Sequence, residues 1–178
     1  NGLLLGEAIF TSFRTYSGKV PFLKSHIRRL EMGAQFLFQQ SLKKEDILLG
    51  IKNLLEKNIG RDFRFRITLF KSNNDLDFFI SIYPLENQLV DPLKLVKGVK
   101  VKTPGLIPSF LKLGNYAEIN LEVKRAKENN YDDVIFLDYK NQVTECSTSN
   151  IFSIKGDKVF TPAVNGLFLD GITRQKLI

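Results

Sequence analysis

Histidine and cysteine each occur once in this chain, as His26 and Cys146. A lone cysteine cannot close an intramolecular disulfide. It fits a reducing compartment, so the expected location is the cytoplasm. Zinc sites rich in histidine or cysteine are nearly excluded, and no metal is expected. A Ser-His-Asp or Cys-His machine would have to run through His26, and no Gly-x-Ser-x-Gly elbow accompanies it. No apolar run approaches the roughly 20 residues a membrane helix needs, so no membrane partner is expected. Leu3-Leu4-Leu5 is apolar but lacks a basic stretch before it and a cleavage site after it, so it does not read as a signal peptide. These absences leave lysine, tyrosine, the carboxylates or a bound cofactor to do any chemistry.

The sequence does have apolar residues and positive charge. Of its 178 residues, 43% are hydrophobic and 25% charged, enough for one large domain or two small ones with real cores. The net charge of +7 has two readings, an anionic ligand or nucleic acid on one hand and a solvated basic surface on the other. Lysine and arginine are scattered rather than blocked, which favours the solvated surface and no nucleic acid. Phe63-Arg64-Phe65-Arg66 is the nearest candidate for a basic binding module, and it reads equally well as an alternating strand.

Periodicity organises the chain. Ala8 to Phe13 is strand-like, Tyr16-Ser17-Gly18-Lys19 is a turn, and Val20-Pro21-Phe22 is expected to return as a hairpin. Ser25 is the expected N-cap of a helix whose apolar stripe is Ile27, Leu30, Ala34 and Leu37. A second helix is expected over 44–57, carrying Ile47, Ile51, Leu54 and Leu55, then strands over 63–69 and 76–83 joined by a turn at 72–75. Composition shifts around residues 84–92, where a domain boundary is placed. Beyond it come a short strand at 99–102, a loop over 103–112, and a helix over 115–129 with Tyr116, Ile119, Val123 and Ala126 inward. Val134-Ile135-Phe136-Leu137 reads as a fully buried strand turning back into Val143-Thr144-Glu145. Residues 151–160 form a hairpin around Gly156-Asp157. Gly171 opens a last helix that the sequence cuts off, from which more protein is expected to follow.

Four segments stand out in order: His26-Ile27-Arg28-Arg29-Leu30, Lys112-Leu113-Gly114-Asn115-Tyr116, the stretch Val143-Thr144-Glu145-Cys146-Ser147-Thr148-Ser149-Asn150-Ile151-Phe152, and Gly171-Ile172-Thr173-Arg174. Together they resemble the class IV aminotransferases, the fold type IV pyridoxal-phosphate enzymes that include branched-chain and D-amino-acid aminotransferases and aminodeoxychorismate lyases. The resemblance runs from Gly6-Glu7-Ala8-Ile9-Phe10 to Arg174. It implies an α+β, two-domain fold, truncated here at both ends. Residues 1–90 would form a small α+β domain of sheet plus helices, and 91–178 part of a larger, mixed β-barrel-like, cofactor-binding domain.

The resemblance also implies roles. Lys112, otherwise a loop lysine, would carry pyridoxal 5'-phosphate as a Schiff base and move a proton. Glu145, otherwise a strand surface residue, would pair with the pyridine nitrogen. Arg29 and the helix start at Ile172 and Thr173 would take the phosphate. Tyr116 would bond the ring hydroxyl or simply pack in the core, and Phe10 would line the substrate pocket or the core. His26 reads as structural. Tyr83 stands where D-amino-acid members place a substrate-binding arginine, while Cys146 after Glu145 leans slightly toward the lyases. The implied activity is transfer of an amino group between an amino acid and a 2-oxo acid by a homodimer. The alternative is a lyase releasing pyruvate to give 4-aminobenzoate.

Overall fold

The computed structural model describes residues 5–85 and 92–178. The composition break expected at 84–92 falls mostly on residues 86–91, outside the described residues, as does most of the apolar Leu3–Leu5 run. The chain divides into two units. One holds the described residues up to 85 together with Leu111–Asn115, the other the described residues from 92 to Phe110 together with Tyr116–Ile178.

The first unit is a three-stranded antiparallel sheet in the order β1 (Ala8–Arg14), β2 (Phe63–Ser72), β3 (Asp75–Pro84), with two helices, α1 (Leu23–Phe38) and α2 (Lys44–Lys57). Strand alternation sends Ile9, Thr11, Phe13, Phe65, Ile67 and Leu69 to one face, where all are buried. On that face Thr11 Oγ1 lies 2.7 Å from His26 Nδ1 of α1, and the His26 ring tilts against Phe13. The opposite face carries Phe10, Ser12 and Arg14 beside Thr68, Arg66 and Arg64, and then Phe79, Ser81 and Tyr83. Phe63-Arg64-Phe65-Arg66 is thus an alternating strand, phenylalanines to the core and arginines to the other face.

Two local expectations are corrected. Val20-Pro21-Phe22 does not return as a strand: β1 pairs with β2, and only Tyr16 and Lys19 exchange backbone hydrogen bonds around Ser17 and Gly18. Pro21 has no N–H for a ladder, and Phe22 turns left-handed at φ 57 straight into α1. Ser25 is not the N-cap. The Phe22 carbonyl accepts from the N–H groups of Ser25 and His26, so the helix starts at Leu23 with no side-chain cap. The stripe on α1 is Ile27, Leu30 and Ala34, continued by Phe38, while Leu37 is only half-buried. The second helix spans the expected residues.

In the second unit β4 (Leu95–Lys102) pairs parallel with β5 (Asp133–Asp138), and α3 (Ala117–Glu128) connects them, as a parallel pair requires. Strand β6 (Val143–Cys146) runs antiparallel to β5. The hairpin β7 (Ser153–Lys155) and β8 (Lys158–Phe160) and the six-residue helix α4 (Ile172–Leu177) follow. Strand β4 begins four residues earlier than expected, because Lys97-Gly98 interrupts its apolar pattern. Strand β5 is not buried on both faces: Val134, Phe136 and Asp138 are buried, whereas Ile135 and Leu137 are half-buried. The core is Ala126, Val134 and Phe136, with Val96, Ile119 and Val123 packed on it. Glu122 on α3 is buried as well. Its carboxylate accepts from the Val99 and Lys100 N–H groups, where the β4 ladder shifts register.

Candidate active site

Lys112 reaches the first unit by backbone pairing. The Phe10 N–H donates to the Lys112 carbonyl at 2.8 Å, the Gly114 N–H donates to the Ala8 carbonyl at 2.6 Å, and Leu113 bridges Ile9. This segment therefore takes the edge of β1 that β2 leaves open. The approach is tight at Gly114, where a Cβ would sit 3.3 Å from Ala8 Cβ. The preceding Leu111 is buried, and Gly33 of α1 makes room for it: a Cβ there would stand 2.6 Å from Ile9 Cδ1 and 3.4 Å from Leu111 Cδ2. With Leu111 anchored, alternation sends Lys112 to the other side, where its Nζ lies 4.8 Å from the Phe10 ring centre. Arg66 Cζ lies 3.6 Å from the same ring centre. Two cations thus converge on Phe10, on the sheet face away from the His26–Thr11 pair. Arg64 covers Tyr83 on that face at 5.2 Å.

Arg29 stands half-buried on α1 while Arg28 is exposed. His26, one turn before Arg29, has its pKa lowered to about 4, first by burial and then by the Arg29 charge, so it is neutral at physiological pH. It ties α1 to β1, in keeping with a structural role.

In the second unit the structure brings Glu145 together with the start of α4. Glu145 and Asn150 bridge across a tight turn. Asn150 Nδ2 donates to the Leu169 carbonyl at 2.7 Å, and its Oδ1 accepts from the Gly171 N–H at 3.0 Å. Glu145 Oε2 accepts from the Leu169 N–H at 3.3 Å, and Oε1 lies 2.8 Å from Lys102 Nζ. A Cβ at Gly171 would land on Asn150 Oδ1, so any larger residue there would displace the Asn150 amide. Ile172 is buried and Thr173 exposed in the first turn of α4, where backbone N–H groups have no partner within the helix. Arg174 is consumed internally. It donates to Asp170 Oδ1 at 2.7 Å, to the Pro162 carbonyl at 2.8 Å and to Thr161 Oγ1 at 3.3 Å. Tyr116 is half-buried at the N-cap of α3. Cys146, beside Glu145, has its thiol pKa pushed up by burial and then by the Asp133 charge.

Sequence reasoning missed Arg66, Lys102 and the tying role of Asn150. Asn150 was visible as the end of the Ser-Thr-Ser-Asn run. Lys102 and Arg66 meet their partners only through strand pairing, which no local pattern states. Taken by itself, the first unit offers a lysine amine and an arginine, and the second a carboxylate and first-turn amides beside Gly171; each is a donor type that suits pyridoxal phosphate. Among the described residues no cluster suits a metal ion.

The sequence model of the amino-transferase class IV family matches residues 8–178. A Rickettsia bellii protein described as a probable branched-chain-amino-acid aminotransferase is 32% identical, over 96% of this chain and 63% of its own length. The chain thus spans under two thirds of that relative. The crystal structure of a Brucella abortus aminotransferase bound to the cofactor PLP superposes with a TM-score of 0.88 at 25% identity, covering 99% of this chain and 68% of that one. The Escherichia coli branched-chain amino acid aminotransferase shares the fold, with a TM-score of 0.86 at 23% identity, 99% of this chain and 65% of that one.

Proposed function

Because the chain belongs to the class IV aminotransferase family, we propose that the full-length protein is a pyridoxal-phosphate-dependent aminotransferase, moving an amino group between an amino acid and a 2-oxo acid. The observation that carries this reading is the setting of Lys112, held to β1 through its own backbone with its amine over Phe10. Bound pyridoxal phosphate supplies an aldehyde that captures amines and a ring that withdraws electrons from the carbon losing a proton. Lys112 would hold the cofactor through that aldehyde and, its amine freed when the substrate's amine takes its place, would move the proton at the substrate's α carbon. Because Phe10 and Gly114 fix its backbone, the amine starts from a defined place. Glu145 holds a proton at the ring nitrogen. Arg29 and the first-turn amides of Ile172 and Thr173 bind the phosphate. Tyr116 bonds the ring hydroxyl, and Phe10 lines the substrate pocket. Arg64 and Arg66 add positive charge to the Phe10 face, which suits anionic substrates. The working form is a cytoplasmic homodimer.

The test is the visible absorption of purified full-length protein with pyridoxal phosphate, followed by a screen of amino donors and 2-oxo acids. A band that Lys112→Ala abolishes, with transfer falling at least about 100-fold, supports the reading. A wild-type protein without the band sinks it. Cys146 keeps the lyase in view: pyruvate released from aminodeoxychorismate without a 2-oxo acid acceptor would replace transferase by lyase.

A further inference from the structure

The ion pair beneath Glu145 has no part in the roles assigned so far. Lys102 ends β4, and its Nζ lies 2.8 Å from Glu145 Oε1, with the two side chains 14% and 15% exposed. The same Nζ stands 5.0 Å from the Phe136 ring centre, on the floor of the unit's core. This is no solvated surface pair of the kind that contributes little. Two ladder irregularities produce it. Strand β4 shifts register between Lys97 and Val101, and Glu122 satisfies the freed amides there. On the other side of β5, Val143 opposes Leu137 and Cys146 opposes Ile135, so Thr144 and Glu145 together stand opposite Phe136. Thr144 turns inward, its hydroxyl donating to the Phe136 carbonyl, and Glu145 is the residue the bulge re-aims. Such bulges concentrate beside active sites for this reason.

We propose that Lys102 is a positioning residue: its ammonium and the Leu169 N–H fix the Glu145 carboxylate in one orientation, ready to hold a proton at the cofactor's ring nitrogen. The inference rests on the reading of Glu145 under Proposed function. A carboxylate has about four lone-pair sites, so Lys102, Leu169 and a ring N–H can share it. Oriented from behind, it loses little freedom when the cofactor arrives. Among the described residues, Cys146 lies next along β6, with the Asp133 charge acting on it, and Asp138 stands across the ladder from Lys102. The Asp138 carboxylate already accepts from the Lys140 and Gln142 amides. It therefore leaves Lys102 to Glu145.

The experiment uses full-length protein loaded with pyridoxal phosphate and compares wild type, Lys102→Met, Lys102→Arg and Glu145→Gln. Two quantities are read besides activity: the cofactor's dissociation constant, and the pH midpoint of its visible band. Glu145→Gln sets the direction in which the midpoint moves when the ring nitrogen loses its carboxylate. Lys102→Met should move the midpoint the same way by a smaller amount and weaken binding about three- to tenfold. Lys102→Arg should restore both. Thermal unfolding of each variant separates these effects from lost stability, and Lys102→Gln replaces Lys102→Met if the latter does not accumulate folded. A midpoint that stays put or moves the other way, while Glu145→Gln moves it, overturns the positioning role alone. If Glu145→Gln leaves the band unmoved, the reading of Glu145 has failed and the role of Lys102 falls with it.

Discussion

His26 lies between α1 and β1 with its ring nitrogen on Thr11 and its pKa lowered to about 4 from 6.5. The unfolded chain binds a proton at that site below about pH 6.5, while the folded chain does so only near pH 4. The stability this residue contributes is therefore complete above pH 6.5 and drains away as pH falls toward 4. Urea unfolding of the full-length protein should show a loss of up to roughly 2 kcal/mol between about pH 7 and pH 5 from this group. His26→Asn should flatten that slope; an unchanged slope would place the dependence elsewhere. Arg174 gives a second test. Its guanidinium spreads over Asp170, the Pro162 carbonyl and Thr161 in a buried setting that an ammonium cannot match. Arg174→Lys should cost about 2–3 kcal/mol and lower the thermal midpoint. At this scale the sequence was uneven in what it disclosed. A structural His26 is legible from the absence of catalytic companions. Lys112 and Glu145 are legible only through the ordered segments around them, since a lysine after a proline-rich loop looks like any other. Lys102 is not legible at all, because its partner lies two strands away in the sheet.

Helices and strands rested on simple periodicities, and these held where one face alone is buried. Helix α2 spans the residues its stripe predicts, and β2 and β3 close on the expected turn, extended by a few residues at their ends. Periodicity misled where a nonlocal partner decides the element. The run at Val134–Leu137 looks continuous, yet Phe136 and Val134 face the α3 core while Ile135 and Leu137 do not. The pairing of β1 with β2 rather than with Val20–Phe22 likewise follows from a strand far along the chain. Glu122 illustrates an element that depends on a single side chain: it accepts two amides at the irregularity of β4. Glu122→Ala should destabilise by about 1–3 kcal/mol, since two part-buried amides lose their carboxylate acceptor. Glu122→Gln should recover part of that, and equal thermal midpoints for the two variants would contradict the assignment. At the start of α4, Gly171→Ala drives a methyl into Asn150 Oδ1 and breaks its hydrogen bond to the residue 171 amide. A cost of about 1–3 kcal/mol is expected, together with weaker binding of pyridoxal phosphate measured by titration.

On the scale of the whole molecule, the net charge of +7 is spread along the chain, and neither amino acids nor 2-oxo acids lack a carboxylate. For the proposed transferase, kcat/KM toward a dicarboxylic acceptor should fall about threefold between roughly 50 and 300 mM salt, because screening shortens the reach of that charge. A salt-independent value would mean the field plays no part in capture. The α+β make-up of the first unit was legible from the alternation of period-two and helical stretches, and that of the whole chain only through the family resemblance. The assignment of Leu111–Asn115 to the first unit was not, because its pairing partner, β1, lies near the other end of the chain. That pairing sets an order of events during folding. Leu113 meets Ile9 only after roughly a hundred intervening residues have been gathered in, and closing so long a loop is slow and entropically costly. The helices can form from local contacts in microseconds, but the lysine acquires its setting only when that distant contact closes. On a ribosome, the first unit's sheet emerges well before the residues that complete its edge, so β1 waits with that edge unpaired until Lys112 and Gly114 arrive to cover it.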